Sequence, residues 1–449
     1  MPTLMVSISG IRGIVGDGLT PEVIVKYTSA YADFIKQGKV IVGRDARITG
    51  EMVSKIVVGT LLAKGLDVID IGIVPTPTVQ FTVKTLEAQG GIAITASHNP
   101  NEWNALKLLN STGQFMSPEE HEEMKTYLSK EVLYESWQKV GRYAEHFEAI
   151  DNHIESILKL NLINVDKIKS KNFKVLLDCV NGAGVYSVPR LLDKLCVEFI
   201  QINCDKTGIF PRLPEPLPEN LIETMKAVKE SKVDLGIVVD PDVDRLVLIT
   251  DEGEPFGEEN TITQVEKFIL SKTPGNVVVN LSTTRAVEDV AKEFGCKVFR
   301  SPVGEANVVK RMKEVDAVIG GEGSGGVIYP SLHYGRDALV GIALTLQHLA
   351  EKDTTLSDLK RSLPEYFIAK KKIELQNVSP DEIINNLLFK FKNQKINTED
   401  GLRIDFADHW VHLRKSNTEP IIRIIVEAKN RELAEGLAEK YLKDIQELV

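Results

Sequence analysis

Short runs of Val, Ile and Leu alternate along most of the chain with longer segments of helical periodicity, and the same order of pieces occurs three times. KVIVG (39–43) precedes a helical pattern from Glu51 to Lys64, LDVIDIG follows, and GGIAIT (90–95) runs into ASHNP. FKVLLD (173–178) is followed by VPRLLDKL and VEFIQIN, and DLGIVVD (234–240) runs into PDVDR. GNVVVN (275–280) is followed by AVEDVAKEFG and CKVFRS, and DAVIGG (316–321) runs into EGSGG. Strands that are apolar at consecutive positions predict mainly parallel sheets covered on both faces by helices. Ligands on such sheets bind where the carboxyl ends of the strands emerge, so each repeat is expected to offer one polar loop to a shared site.

From about Ile368 the order changes. KKKIELQ, a helical DEIINNLLFKFK, strands near RIDF, WVHLRK and PIIRIIVEA, and a final helix from Arg431 predict a small α+β unit. The expected architecture is three tandem, similar α/β domains with mixed, mainly parallel sheets plus a C-terminal α+β domain. The boundaries are 1–160, 161–255, 256–367 and 368–449. A chain of 449 residues is too long for one core and agrees with several domains.

Composition narrows the class. Hydrophobic residues at 43% and charged residues at 26% are ordinary for a globular protein. A net charge of −10 opposes broad attraction to nucleic acid or an anionic membrane, and an anionic substrate would need a local basic cluster. The start, MPTLMVSISGIRG, has no signal-peptide pattern and no stretch is long and apolar enough to span a bilayer, so a cytoplasmic protein is expected. The four cysteines lack C-x-x-C pairing and read as core residues, and the eight histidines show no zinc spacing. Nothing in the sequence sets the number of subunits.

DPDVDR carries Asp240, Asp242 and Asp244 directly after an apolar strand. Alternate residues of a regular strand lie ~6.6 Å apart, so three carboxylates can share one ion only if the backbone curls. All-oxygen ligation selects a hard cation such as Mg²⁺. An EF-hand is excluded because Arg245 stands where Gly is needed and Asp251 where Glu is needed. A solvated acidic turn is the bland alternative, and Arg245 is expected to tune the carboxylates or a phosphate.

TASHNP puts Ser97 just past a buried strand, with Asn99-Pro100 ending it. No G-x-S-x-G accompanies it, and His98, as an immediate neighbour, is expected to diverge from the Ser97 hydroxyl. Beside the aspartates, Ser97 reads as a carrier of a phosphoryl group whose ~−2 charge a metal would offset; alone it reads as a turn serine. Lys107 could serve as general acid/base if neighbouring positive charge lowered its pKa; its bland reading is a surface lysine.

GEGSGG (321–326) matches G-x-G-x-x-G, yet VIYP follows instead of a helix, which removes the dinucleotide reading. Glu322 and Ser324 instead read as hydrogen-bonding groups for vicinal hydroxyls, or as a plain turn. In LRKSNTEPIIRI, the residues Arg414, Ser416, Asn417, Thr418 and Arg423 gather donors for a phosphate that does not react, unless the segment is only a polar hairpin. The P-loop pattern is absent.

In this order TASHNP, DPDVDR, GEGSGG and RKSNTEP resemble the active-site loops of the α-D-phosphohexomutase family, and the resemblance covers the whole chain. SGIRGIVG and GRDARITG are similar to that family's first-domain loops, which implies a phosphate-facing role for Arg12. The resemblance implies a four-domain architecture, Mg²⁺, a phosphoserine at Ser97, a hexose phosphate substrate and a sugar 1,6-bisphosphate intermediate that reorients. Ser97 would join Asp240, Asp242 and Asp244 at the metal, with His98, Lys107, Arg12 and Arg245 around the transfer. Two departures stand out: Gly326 occupies a place where many members carry His, and Trp103-Asn104-Ala105 replaces Tyr-Asn-Gly. ISGIRGIVGDGLTPE and GGEGSGGVI most resemble members acting on glucosamine phosphates, with mannose or glucose phosphates as the alternative.

Overall fold

The Val/Ile-rich runs form the strands they predict, and each sits in a sheet with the repeat to which it belongs. A computed structural model of the chain describes residues 3–374, 379–415 and 421–446. The first sheet has seven strands, the second and third have four each, and the last has five. In the first repeat, Lys39–Arg44 pairs in parallel with Asp67–Ile73 on one side and with Gly90–Ile94 on the other. Lys174–Asp178 relates in the same way to Glu198–Ile202 and Leu235–Val239, and Asn276–Asn280 to Val298–Ser301 and Ala317–Glu322. Gly90–Ile94 and Leu235–Val239 are buried at every position, as strands covered on both faces must be.

The structure adds a strand that the parallel reading did not contain. In every repeat the third strand turns back as an antiparallel partner: Trp103–Leu109 beside Gly90–Ile94, Leu246–Thr250 beside Leu235–Val239, and Gly326–Ile328 beside Ala317–Glu322. Ser97, the aspartate triplet and the glycine-rich segment therefore occupy the same structural place, the connection of a hairpin at the carboxyl end of the central strands. This equivalence is what converges them.

Ala338–Lys352 holds the α/β domains together. Thirteen of its fifteen residues are buried, and its polar Thr345, Gln347 and His348 are paired with other side chains, so the helix lies inside the protein. Asp337 caps it through hydrogen bonds from the Leu339 and Val340 N–H groups, and its other oxygen meets His153 Nε2 at 3.0 Å and His333 Nε2 at 3.2 Å. The last sheet is wholly antiparallel and packs under Pro380–Lys390 and Arg431–Gln446. Its strands touch the third domain through the Arg403 guanidinium on the Leu281 carbonyl, His412 Nδ1 on Ser282 Oγ at 2.9 Å, and the Arg285 N–H on Glu427 at 3.0 Å.

The cysteines correct one expectation. Only Cys179 is buried; Cys204 and Cys296 are half-buried, and Cys196 is exposed at a left-handed position (φ 56°) that ends the helix Gly184–Lys194. All four are free. Among the described residues no helix is long and apolar enough to cross a membrane.

Candidate active site

The serine loop is wrapped around a buried arginine. Arg47 donates to the carbonyls of Ser97 (2.6 Å), Asn99 (2.7 Å), Pro100 (2.6 Å) and Trp103 (3.1 Å), and its Nε pairs with Asp45 at 3.0 Å. Drawing these carbonyls inward turns the Ser97 side chain outward. Ser97 holds φ of 49°, a left-handed value uncommon for a residue with a Cβ, and its N–H donates to Thr95 Oγ1 at 3.0 Å. The hydroxyl then donates to Asp240 Oδ2 at 3.1 Å, although 143 residues separate the two.

The same backbone value corrects the expectation for His98. Successive side chains oppose one another in a strand but are only ~100° apart in helical conformations of either hand. His98 Nδ1 accordingly lies 3.3 Å from Ser97 Oγ. Burial, with the charges of Arg245 and Arg12 behind it, holds the His98 pKa far below the usual imidazole range, so the ring is neutral. Arg12, on the strand Gly10–Ile14, donates to Asn99 Oδ1 at 2.7 Å and faces the aspartates from the other side of the loop.

The aspartate loop curls as shared ligation requires. The Val243 N–H returns to the Asp240 carbonyl at 3.1 Å, and Val243 takes φ of 61°, a genuine outlier for a β-branched residue. Oxygens from Asp240, Asp242 and Asp244 come within 4.8 Å of one another, and all three residues are fully buried. Asp240 Oδ1 accepts the N–H groups of Asp244 and Arg245, and Asp242 Oδ2 accepts Thr76 Oγ1–H at 2.6 Å. Asp242 Oδ1 and Asp244 Oδ1 are buried with no protein donor. Unpartnered buried carboxylate oxygens pointing into one cluster fit a hard cation and little else. Burial and the charges of Asp244 and Asp242 raise the Asp240 pKa well above its ordinary value. Asp242 is likewise subject to burial, but Lys107 and the Thr76 hydroxyl outweigh it and keep that carboxyl below the usual range.

Lys107 lies on the return strand Trp103–Leu109 with Nζ 2.7 Å from Asp242 and 3.8 Å from Asp244. Its nearest charges are thus carboxylates, not the cations that the acid/base reading called for. Arg245 flanks the cluster, 3.8 Å from Asp244 and 3.7 Å from Glu215.

Glu322 ends the strand Ala317–Glu322, opposite Gly326 across a tight hairpin with Ser324 half-buried at its tip. The glycine-rich segment therefore joins two strands and opens no helix. Gly325 (φ 86°) passes so close to the second domain that a Cβ there would lie 2.5 Å from the Leu246 carbonyl oxygen. The Glu322 carboxylate accepts Asn280 Nδ2 (2.8 Å), the Gly304 N–H (2.9 Å) and Arg336 Nη1 (2.7 Å). Burial would lift its pKa, but Arg336 and these hydrogen bonds keep it ionised.

Arg336 was not singled out by sequence, yet it ties the loops together. One guanidinium reaches Asp244 (2.5 Å), Glu322 (2.7 Å) and Glu305 (3.2 Å), and Glu305 also accepts Gln80 of the first domain at 2.7 Å. Arg47 and Thr76 were missed too. Each of the three lies in the connection from a strand to the next helix or on that helix's first residue, the positional signal that would have marked them.

Behind the sugar loop, Glu259 accepts the Thr284 N–H at 2.9 Å, and burial pushes its carboxyl up to about 8. Because the ordinary value is 4.5, the unfolded chain gives up this proton first, and stability falls as pH rises from about 4.5 to about 8. Glu259→Gln is expected to be more stable than the parent at pH 8 by up to about 5 kcal/mol, with the difference vanishing at acid pH. Urea melts across that range check this, and a constant difference would refute it.

Arg414 and Arg423 stand opposite one another on the adjacent strands His409–Lys415 and Ile421–Ala428. Arg414 pairs with Asp400 at 2.8 Å, and Asp400 also accepts the Val303 N–H of the third domain at 3.0 Å. Ser416, Asn417 and Thr418 lie outside the described residues. The structure thus brings Ser97, His98, Arg12, Lys107, Arg245 and the three aspartates together, and joins Glu322 to them through Arg336.

A buried serine facing a curled carboxylate cluster, repeated hairpin loops and a fourth antiparallel domain define a recognisable class. Residues 5–135, 151–253, 260–367 and 370–443 match, in order, the α/β/α domains I, II and III and the C-terminal domain of phosphoglucomutase/phosphomannomutase. The chain belongs to this family of α-D-phosphohexomutases, isomerases that transfer a phosphoryl group within a hexose phosphate. It is 35% identical to the "Probable phosphoglucosamine mutase" of Methanopyrus kandleri over 98% of this chain and 97% of that one. It is 36% identical to the "Phosphoglucomutase/phosphomannomutase" of Thermococcus kodakarensis, with the same coverage. The crystal structure of a phosphoglucomutase/phosphomannomutase family protein from Burkholderia thailandensis superposes with a TM-score of 0.86 at 26% identity, covering 98% of this chain and 97% of that one.

Proposed function

We propose that this enzyme interconverts glucosamine 6-phosphate and glucosamine 1-phosphate in the cytoplasm, through a phosphoserine at Ser97 and a sugar 1,6-bisphosphate. The observation that carries the mechanism is the Ser97 hydroxyl 3.1 Å from Asp240, in a buried cluster with two carboxylate oxygens left without donors. Mg²⁺ would be held by Asp240, Asp242, Asp244 and an oxygen on Ser97, and when bound it supplies positive charge beside the phosphoryl group.

The protein's own groups do the rest. Phosphorylated Ser97 meets a sugar hydroxyl whose oxygen bonds to phosphorus as the P–Oγ bond breaks; the electron pair of that bond stays on Oγ, which takes up the hydroxyl proton, and Lys107, ion-paired with Asp242, contributes its positive charge beside the transfer. The resulting bisphosphate turns over, Ser97 Oγ bonds to the other phosphorus as that P–O bond to the sugar breaks, and the sugar oxygen keeps the electron pair and takes up the Ser97 hydroxyl proton. Arg12, His98 and Arg245 line the reacting phosphoryl group. Glu322 and Ser324 read the hydroxyls of either pose. Arg414, Ser416, Asn417, Thr418 and Arg423 hold the phosphate that does not react, so binding energy goes into positioning.

Glucosamine phosphate is favoured by the Methanopyrus relative's name, and mannose or glucose phosphates by that of the Thermococcus relative. Side-by-side assays on the three sugars with Mg²⁺ test the proposal. The expected result is isomerisation without release of inorganic phosphate, with the highest kcat/KM on glucosamine phosphates. Stoichiometric phosphate release would make the enzyme a phosphatase, and a preference for mannose or glucose phosphates would move the substrate to the alternative.

A further inference from the structure

We infer that Phe210 is a positioning residue for phosphoryl transfer: reaching over from the second domain, it closes one face of Arg47 and so fixes the serine loop against the aspartate loop. This role presupposes that Ser97 carries the phosphoryl group.

The need for such a group follows from Arg47. A guanidinium has five N–H donors, all in one plane. Nε serves Asp45, Nη1 serves the Pro100 and Trp103 carbonyls, and Nη2 serves those of Ser97 and Asn99, so all five are taken. Every one of these partners belongs to the first domain. They set the shape of the serine loop, but not its distance from carboxylates that the second domain supplies. Only the faces of the guanidinium are left for that task. The Phe210 ring covers one of them, with its centroid 4.7 Å from Arg47 Cζ. A guanidinium can stack on an aromatic face without giving up any in-plane hydrogen bond. Arg47 and Phe210 are both buried, so water does not compete for that face.

Phe210 is held from both sides. Toward the first domain, its N–H donates to Asn101 Oδ1 at 3.1 Å, and Gly208 (φ 67°) comes so close to the Ala46 carbonyl oxygen that a Cβ would not fit. Toward the second domain, Asn181 Nδ2 donates to the Ile209 carbonyl at 2.9 Å and Asn181 Oδ1 accepts the Asp205 N–H at 2.8 Å. Arg212 pairs with Asp178 at 3.1 Å.

Asn181 in turn belongs to a turn that packs on the aspartate loop. The Ala183 N–H donates to the Pro241 carbonyl at 2.8 Å, and a Cβ on Gly182 would lie 2.6 Å from Pro241 Cα. Pro241 stands between Asp240 and Asp242. Contacts therefore run without a break from the Ser97 loop through Arg47, Phe210, Asn181 and Pro241 to the carboxylates. Thr76 makes a second tie, with its N–H on the Asp242 carbonyl at 2.9 Å and its hydroxyl on the Asp242 carboxylate. Two ties fix the gap that the Ser97 hydroxyl spans to Asp240 at 3.1 Å, whereas one alone would let the loops turn about it. The sugar loop and Arg414 lie on the third and fourth domains, outside this path, so loss of Phe210 should slow transfer without weakening the hold on a hexose phosphate.

Steady-state kinetics at saturating Mg²⁺ and hexose 1,6-bisphosphate test this. Phe210→Ala is expected to lower kcat by about 10- to 100-fold, the scale on which misplacement by about 1 Å acts, with KM for the hexose phosphate within about twofold of the parent. Phe210→Tyr keeps the ring and should recover most of kcat; Phe210→Leu keeps much of the volume without an aromatic face and should not. Melts on the same samples confirm that each variant is folded, and the contrast between Tyr and Leu separates a stacking role from the filling of space. A parental kcat in both Phe210→Ala and Phe210→Leu overturns the proposal, as does equal recovery by Leu and Tyr, or a loss expressed in KM alone. Ser97→Ala, run alongside, tests the phosphoserine by itself: turnover there removes Ser97 as carrier, whereas an inactive Ser97→Ala beside a fully active Phe210→Ala overturns the role of Phe210 only.

Discussion

Replacing Ser97 with alanine is expected to lower mutase turnover by at least about four orders of magnitude while leaving the fold intact. The loss is large because no other hydroxyl takes the place of this oxygen. The loop would stay as it is, because its shape is set from the backbone: Arg47 holds the Ser97, Asn99, Pro100 and Trp103 carbonyls, and the residue-97 N–H keeps its bond to Thr95. Alanine tolerates the left-handed φ of 49° about as well as serine does. What disappears is the hydrogen bond to Asp240, worth about 1 kcal/mol net, so the melting temperature should move by only about 2–4 °C. Turnover near that of the parent would remove Ser97 from the chemistry. A companion measurement separates carrier from structure: hexose 1,6-bisphosphate should restore activity to dephosphorylated parent enzyme and should leave the alanine variant inactive.

The architecture was legible because its signals are local. Val/Ile runs such as those at 39–43, 173–178 and 275–280 announce buried parallel strands, and the polar loops that follow the third strand of each repeat mark where side chains converge. The return strands were not legible, since a short apolar run after a loop has the same pattern whether it pairs parallel or antiparallel. Pairings across the site were also out of reach. Lys107 and Asp242 are 135 residues apart and Thr76 and Asp242 166 apart, so their neighbours' charges could not be read from adjacent sequence. The positive neighbours that an acid/base role for Lys107 would need are therefore not readable from the sequence, and in the fold Lys107 faces carboxylates instead. His98 was misplaced for a different reason: the divergence rule assumes extended backbone, and Ser97 is left-handed.

Arg336→Met should reveal how far the metal loop and the sugar loop depend on one another. The parent guanidinium is buried among Asp244, Glu322 and Glu305, and removing one partner from a buried ionic cluster costs about 3–5 kcal/mol because the remaining charges go uncompensated. Part of this penalty should depend on pH. Glu305 already titrates at about 7 because burial outweighs Arg336, and losing that cation pushes it and Glu322 higher. The unfolded chain releases those protons at ordinary values near 4.5, so the deficit should be greatest at alkaline pH and shrink as pH falls and the carboxyls are neutralised. Arg336→Lys should recover only part of the loss, because one ammonium cannot imitate a fork that serves three carboxylates. Gly326→His should act in the same direction: a Cβ at 326 would lie 2.4 Å from Arg336 Cδ, and an arginine pinned by three carboxylates cannot swing aside. In this structure Arg336 therefore requires Gly326, which gives a steric reason for the missing histidine. Urea melts at acid and alkaline pH, with kcat and KM measured on the same samples, test the coupling; a methionine variant with parental stability at alkaline pH would show that the two loops hold their places independently.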